Sequence, residues 1–238
     1  TTTPYVNVGK AKVSGLDGTL EYQQQVGKVL LTGRGNFTFS RNQMLDNDEP
    51  DWEYKYQNSI GKPFGRNGAA QRKGFIALGF FESQAEIDNS PKQMFGEYRI
   101  GDVKYKDVNG DGKIDSNDLV VFNGGIAPIY GGFNTRVAYK RVDLSINAQY
   151  SIGKKVYAMY KERSVSGAAV GYPSYSTNMI AEQMDYWTPN NTDTNVPRPH
   201  LASAISSWNN YRSSRFLEDA DYLRITDITL GVNFDTKD

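Results

Sequence analysis

The chain has 238 residues, with 27 Lys and Arg against 27 Asp and Glu, a single His and no Cys. Balanced charge, with no basic run interleaved with aromatics, excludes an electrostatic nucleic-acid binder. The missing thiols exclude disulfides, zinc–thiolate sites and cysteine catalysis. The sequence starts at Thr1 without a charged and then apolar leader, so it reads as cut from a longer precursor. No apolar run approaches the roughly 20 residues of a membrane helix. Membrane strands remain open, because they need only about 10 residues of alternating pattern.

In chain order, the first strand candidate is 19–26. The next is VLLTGRGNFTFSR, 29–41, where Val29, Leu31, Gly33, Gly35, Phe37 and Phe39 share one face. Leu30, Thr32, Arg34, Asn36, Thr38 and Ser40 share the other, because side chains alternate along a strand. Residues 41–73 are rich in Asn, Asp, Gly and Pro and read as a long loop. Shorter strands are expected at 74–81, 95–100, 133–140 and 154–160. Between the last two lies VDLSINAQYSI, 142–152. It sets Val142, Leu144, Ile146, Ala148, Tyr150 and Ile152 against Asp143, Ser145, Asn147, Gln149 and Ser151.

Residues 162–221 form a second long loop with one short helix expected around NMIAEQMDYW, 178–187. The closing strand, YLRITDITLGVNF, carries Leu223 and Ile225 in one phase and Ile228, Leu230, Val232 and Phe234 in the other. A phase flip near Asp227 predicts a bulge or a change of environment. The fold class expected is all-β, antiparallel up-and-down strands with long loops.

One loop carries recognisable chemistry. KDVNGDGKIDSND offers oxygens at alternating positions around a glycine, as an EF-hand-type loop does. Asp107, Asn109 and Asp111 take positions 1, 3 and 5, with Gly112 at the sharp turn. Lys113 would give its backbone carbonyl, Asp115 would act through water, and Asp118 closes the loop at position 12. The spacing predicts a structural calcium site. The alternative is a solvated acidic turn held by its own Asx hydrogen bonds. A calcium sensor is not expected, because strands nearby offer no helix pair to open.

Several stretches together resemble the SusC/RagA-type TonB-dependent outer-membrane transporters of Bacteroidetes. They are GEYRIGDVKYKDVNGDGKIDSNDLVVF, PIYGGFNTRVAYKRVDLSINAQYSIG, MDYWTPNNTDTNVPRP and SSRFLEDADYLRITDITLGVNF, in that order. The opening VGKAKVSGLDGTLEYQ fits the family loosely, with Leu16-Asp17-Gly18 departing from its pattern, as does Ala220-Asp221 further on. The resemblance implies that residues 1–238 are part of a transmembrane β-barrel, lying in the C-terminal portion and without plug domain or TonB box. It implies the bacterial outer membrane, apolar side chains toward the lipid bilayer and polar ones toward the lumen. It also implies a SusD-like surface lipoprotein as partner, the TonB complex acting through the plug, and an oligosaccharide or peptide as ligand. Tyr130, Tyr172, Trp187 and Trp208 are the aromatics that could stack on such a ligand.

A second reading is a soluble, calcium-stabilised β-sandwich that binds carbohydrate or a protein. An enzyme is not expected. His200 sits in a proline-rich loop without a nucleophile motif, and Gly33-x-Gly35 lacks the helix of a dinucleotide site.

Overall fold

The computed structural model describes residues 9–64, 73–122, 125–158, 161, 181–199 and 207–234. Strands β1 (Lys10–Val26) and β2 (Val29–Asp46) form a long hairpin. After β2 come β3 (Lys73–Gly74), β4 (Ala77–Phe80), helix α1 (Gln84–Asn89), β5 (Lys92–Gln93), β6 (Val103–Tyr105), β7 (Lys113–Ile114) and β8 (Val120–Val121). A second long hairpin follows, β9 (Ile129–Tyr139) and β10 (Val142–Ile152). Short strands β11 (Lys155–Tyr157) and β12 (Leu217–Asp219) precede the last one, β13 (Tyr222–Val232).

The long strands make one five-stranded sheet in the order β1-β2-β9-β10-β13, and every neighbouring pair is antiparallel. Two hairpins close at the same end in two residues each, Gly27-Lys28 and Lys140-Arg141. Gly27 has φ +61, the positive value that the first central residue of a primed hairpin turn requires. The two long excursions, 47–128 and 153–221, both leave from the opposite end. Short turns at one rim and long excursions at the other are the layout of an outer-membrane barrel wall.

The register settles what each face carries, because directly paired residues lie on one side of a sheet. Leu16 pairs with Phe39, Val137 with Leu31 and Leu144, and Leu144 with Leu230. One face is therefore apolar across all five strands, and it is open. Leu20 is 77% exposed and Leu230 is 69% exposed, with Phe37, Phe133, Val142 and Ile228 also exposed. Water would penalise each such side chain by roughly 1.5–3 kcal/mol relative to burial, so this face is built for an apolar surround.

The bulge falls beside Asp227, where the phase flip lies. Asn147 pairs with Asp227 and Ala148 with Ile225, which leaves Thr226 unpaired. That extra residue cancels the phase flip in the sequence. Leu223 and Ile225 before it join Ile228, Leu230 and Val232 after it on the same apolar face.

The two excursions fold together into a cap at the far end. Its core is Phe75, Val103, Tyr105, Ile114 and Trp208, with Phe95, Tyr98 and Tyr211 packed around it. Phe75 lies 5.1 Å from Phe95 and 5.2 Å from Tyr105, and Tyr98 meets Trp208 edge-on at 5.5 Å. Backbone bonds join the two excursions, from Phe75 N to Arg212 O and from Ser214 N to Phe75 O. Side chains join them too. Val103 N donates to Asn209 Oδ1, and Tyr105 OH donates to Trp208 O.

Two expectations change in the cap. Residues 95–100 are turns, not a strand. Positive φ at Gly96 and Gly101 breaks the extended run, and Tyr98 packs inward on Phe81 and Trp208. The expected helix at 178–187 is a single 3-10 turn, Ala181–Met184, after which Tyr186 bridges Val196; 178–180 lie outside the described residues. The described parts of the long loop at 162–221 pack on the cap core through Trp208 and Tyr211.

Candidate functional site

Opposite the apolar face the sheet carries a hydrogen-bonded polar surface. Asn134 Nδ2 donates to Asn147 Oδ1 at 2.7 Å, and Asn147 Nδ2 reaches Asp227 Oδ2 at 3.4 Å. Thr229 Oγ1 donates to the same Asp227 oxygen at 2.6 Å. Arg136 pairs with Asp143 at 3.2 Å, and Arg34 with Glu21 at 3.1 Å. Gly132 N donates to Asn36 Oδ1. Strand alternation placed these groups on one side, and cross-strand register brought them within reach of one another. The result is a wetted wall in which two opposite-charge pairs and a set of neutral donors around Asp227 link neighbouring strands.

The cap is pinned by a buried carboxylate. Asp102 is fully enclosed. Its Oδ1 accepts from Asn209 Nδ2 at 2.8 Å and forms an ion pair with Arg198 at 3.1 Å, while Oδ2 accepts from Arg99 N at 2.7 Å. A buried charge is tolerated only when paired and hydrogen-bonded, and here both excursions contribute the partners. Neither Asp102 nor Asn209 was singled out in the sequence. An Asp in a Gly-Asp dipeptide looks like any turn residue, and only the fold puts it opposite 198 and 209.

The cation-type loop keeps its expected shape. Asp107 Oδ1 accepts from Gly110 N at 2.6 Å and Oδ2 from Gly112 N at 2.8 Å. Asn109 Oδ1 accepts from Asp111 N, and Asp111 Oδ1 from Lys113 N. Gly110 and Gly112 have φ near +80, which lets the chain coil around these side chains. The pairing with β5 uses the carbonyls of Gly112 and Ile114, the two that flank Lys113. That leaves the carbonyl of position 7 out of this ladder.

The second half of the loop does something else. Asp115 and Asp118 form a capping box on the 3-10 turn Ser116–Asp118. Asp118 is buried, accepts from Val108 N and Asp115 N, and its carboxyl is pushed above its ordinary value by burial. Tyr56 covers the loop, donating to Asn117 O at 2.6 Å. Burial, and then the nearby Asp118, push its phenol up to about 12. Among the described residues no three His, Cys, Asp or Glu side chains converge as a metal cluster. Asp107, Asn109 and Asp111 fit one half of a calcium shell, while Asp118 is already satisfied by two amides.

The stacking candidates separate. Tyr130 is exposed, on β9 rather than a loop. Trp208 is fully buried in the cap core, with Nε1 donating to Glu97 O, so it offers no face to a ligand. It lies in the 3-10 turn Ser207–Asn210, which Tyr211 N closes by donating to Trp208 O. Trp187 is buried against Gly101, where an added Cβ would stand 2.3 Å from the indole. Tyr172 and His200 lie outside the described residues.

No protein-family model matches the chain. A TonB-dependent receptor, P26 of Formosa agariphila, is 30% identical over 160 residues, covering 67% of this chain and 15% of that protein. The TonB-dependent receptor SusC of Bacteroides thetaiotaomicron is 22% identical over 232 residues, covering 96% of this chain and 21% of SusC. Among solved structures, the RagAB peptide transporter superposes with a TM-score of 0.62 at 18% identity, over 97% of this chain and 24% of that one. The chain belongs to the SusC/RagA-type TonB-dependent transporters.

As a SusC/RagA-type chain, it spans 15% to 22% of the length of the curated relatives it matches. Its five-stranded sheet is a segment of a transmembrane β-barrel. The 11 residues each of β9, β10 and β13 match what a tilted membrane strand needs, about 9–11.

Proposed function

We propose that this SusC/RagA-type chain supplies wall and external cap to an importer in the bacterial outer membrane. The importer takes up oligosaccharides or peptides beneath a SusD-like surface lipoprotein, and the TonB complex drives it through a plug domain. The observation that carries this reading is the two-faced sheet, apolar and exposed on one side, polar and hydrogen-bonded on the other. A soluble β-sandwich would bury one of these faces against a second sheet, yet the apolar face stands open. RagAB, whose fold this chain shares, is described as a peptide transporter, which favours the peptide half of the ligand class. The cap stands at the rim from which the long excursions leave, where a surface lipoprotein would meet it.

Neighbouring residues on β13 test the wall. Ile228→Arg places a charge on the lipid face and should cost about 2–4 kcal/mol of folding into liposomes, measured by urea titration. Thr229→Arg places the same charge on the lumen face beside Asp227 and should cost close to nothing. Equal effects of the two would refute the membrane wall.

The same reading gives the loop at 107–118 a structural calcium ion. Asp107, Asn109, Asp111 and the Lys113 carbonyl would hold it, Asp115 would act through water, and Asp118 would fix the exit of the loop. The ion would supply a positive centre that lets several oxygens crowd together, tying β6 to β7. Extracellular calcium suits a weak clip of this kind.

A further inference from the structure

Between the two excursions lies a cleft of about 780 Å³, within the range of small-ligand sites. Phe80, Trp187 and Val196 give it apolar lining, and Arg215 faces it. Arg215 stands on the 3-10 turn Ser214–Phe216, with its guanidinium over the Phe216 ring at 5.0 Å. Its Nε donates to Asn195 O at 3.1 Å and its Nη1 to Asn209 O at 3.4 Å. Both acceptors are neutral carbonyls. Among the described residues neither a carboxylate nor an acceptor for Nη2 meets this guanidinium.

The contrast within the same cleft is informative. Lys161 is held by Glu182 at 3.0 Å and by Glu218 at 2.6 Å. Those two acids are therefore spent. Arg215 is half-buried, and burial pushes its guanidinium down to about 10. Buried guanidinium groups normally sit on carboxylates, whose two oxygens match the planar fork of donors. Glu82 and Asp185, the remaining acids of the lining, are exposed. They disfavour a ligand carrying many negative charges and favour one whose remainder is neutral or cationic.

We propose that this cleft binds the free carboxylate of an imported ligand, with Arg215 as its counter-charge and Phe80, Trp187 and Val196 as the apolar wall beside it. The assignment rests on the importer reading above. The carboxylate can belong to a peptide C-terminus or to a sugar acid, and the rim acids favour the zwitterionic peptide.

Calorimetric titration of the full chain in detergent tests this with tetra-alanine, its C-terminal amide and trigalacturonate. The free acid should bind about tenfold or more tightly than the amide, the worth of one charge-assisted fork. Arg215→Gln should abolish the preference. Because Arg215 also holds two cap carbonyls, Thr192→Trp provides an independent check. It fills the cleft from an exposed position on the lining, leaves Arg215 untouched, and should abolish binding. Trigalacturonate binding that depends on Arg215 would support the carboxylate site and assign its source to a sugar acid. Equal affinity for acid and amide overturns the assignment, as does an absence of binding by all three probes. If the Ile228 and Thr229 variants still differ in that case, the barrel wall stands and only the cleft assignment falls.

Discussion

In the five-stranded sheet the large apolar side chains face outward, whereas in the cap they are enclosed. Leu20 on the sheet is 77% exposed, while Val103 and Trp208 in the cap are 0% exposed. Polar groups reverse in the same way. The sheet turns its Asn, Asp and Thr residues to one shared wet face, and the cap buries Asp102 and Asn209 in its interior. One sequence thus obeys two solvents. The sheet is laid out for hydrocarbon on one side and water on the other, and the cap for water all round. The difference is not one of composition, since aromatics serve both. It is one of periodicity, strict alternation in the wall and irregular spacing in the cap.

The strongest way to break this contrast is to disturb the alternation itself. Deleting Ser145 from β10 turns Ile146–Ile152 over. Ile146, Tyr150 and Ile152 would then face the lumen and Asn147 and Gln149 the lipid. The loss should be on the order of 5 kcal/mol or more, read by urea titration in liposomes. Deleting Thr226 removes the bulge but keeps both faces, because Ile225 then adjoins Asp227 in strict alternation. It gives up a 3.3 Å bond to Asn147 O and should cost under about 1 kcal/mol. If the two deletions unfold alike, alternation does not set the faces.

A second experiment separates the regions. Trp208→Ala empties the centre of the cap core and should cost about 3–5 kcal/mol there. Hydrogen exchange should speed at the Phe75 and Val103 amides, which bond to Arg212 O and Asn209 Oδ1. Amides of β9 and β10 should keep their protection, because lipid and cross-strand pairing hold them. Matching loss in both regions would show a single cooperative unit and blur the contrast.

The wall was legible because strands write their two faces directly into the order of residues. Val142 to Ile152 carry both faces in the order of their residues, and the flip near Asp227 marks the bulge. The cap was not legible, for three physical reasons. Its strands are two to four residues long, too short for alternation to register. Its aromatics mark packing as readily as binding, so Trp208 read as a stacking platform while serving as the core. Its key contacts join residues about 100 positions apart, such as Asp102 with Asn209 and Phe75 with Arg212. Arg215 went unnoticed for a related reason. A cation that meets no carboxylate among the described residues can be recognised only once its surroundings are known. The loop at 107–118 lies between these cases. Its spacing pointed to calcium, and the first half of the loop carries the Asx hydrogen bonds of the alternative reading, while the capping role of Asp115 and Asp118 depended on the 3-10 turn that follows.

The smallest expected effect concerns that loop, and it sharpens the contrast because calcium should act on the cap alone. At a calcium concentration about ten times the dissociation constant, binding to the folded form adds about 1.4 kcal/mol. Amide exchange at Val103 and Tyr105 should slow by about tenfold when calcium replaces chelator, since 1.4 kcal/mol is a factor of ten, and β10 should not respond. Asp111→Ala should remove the response at little cost without calcium, because its own bonds are to the exposed Lys113 amide and the Asn109 side chain. Asp118→Ala should behave differently. It strips two partly buried amides, Val108 and Asp115, of their acceptor, and so weakens the cap with or without the ion. A wild-type cap whose exchange is unmoved by calcium would mean that the amides of Gly110, Gly112 and Lys113 are the only partners these carboxylates were placed to serve.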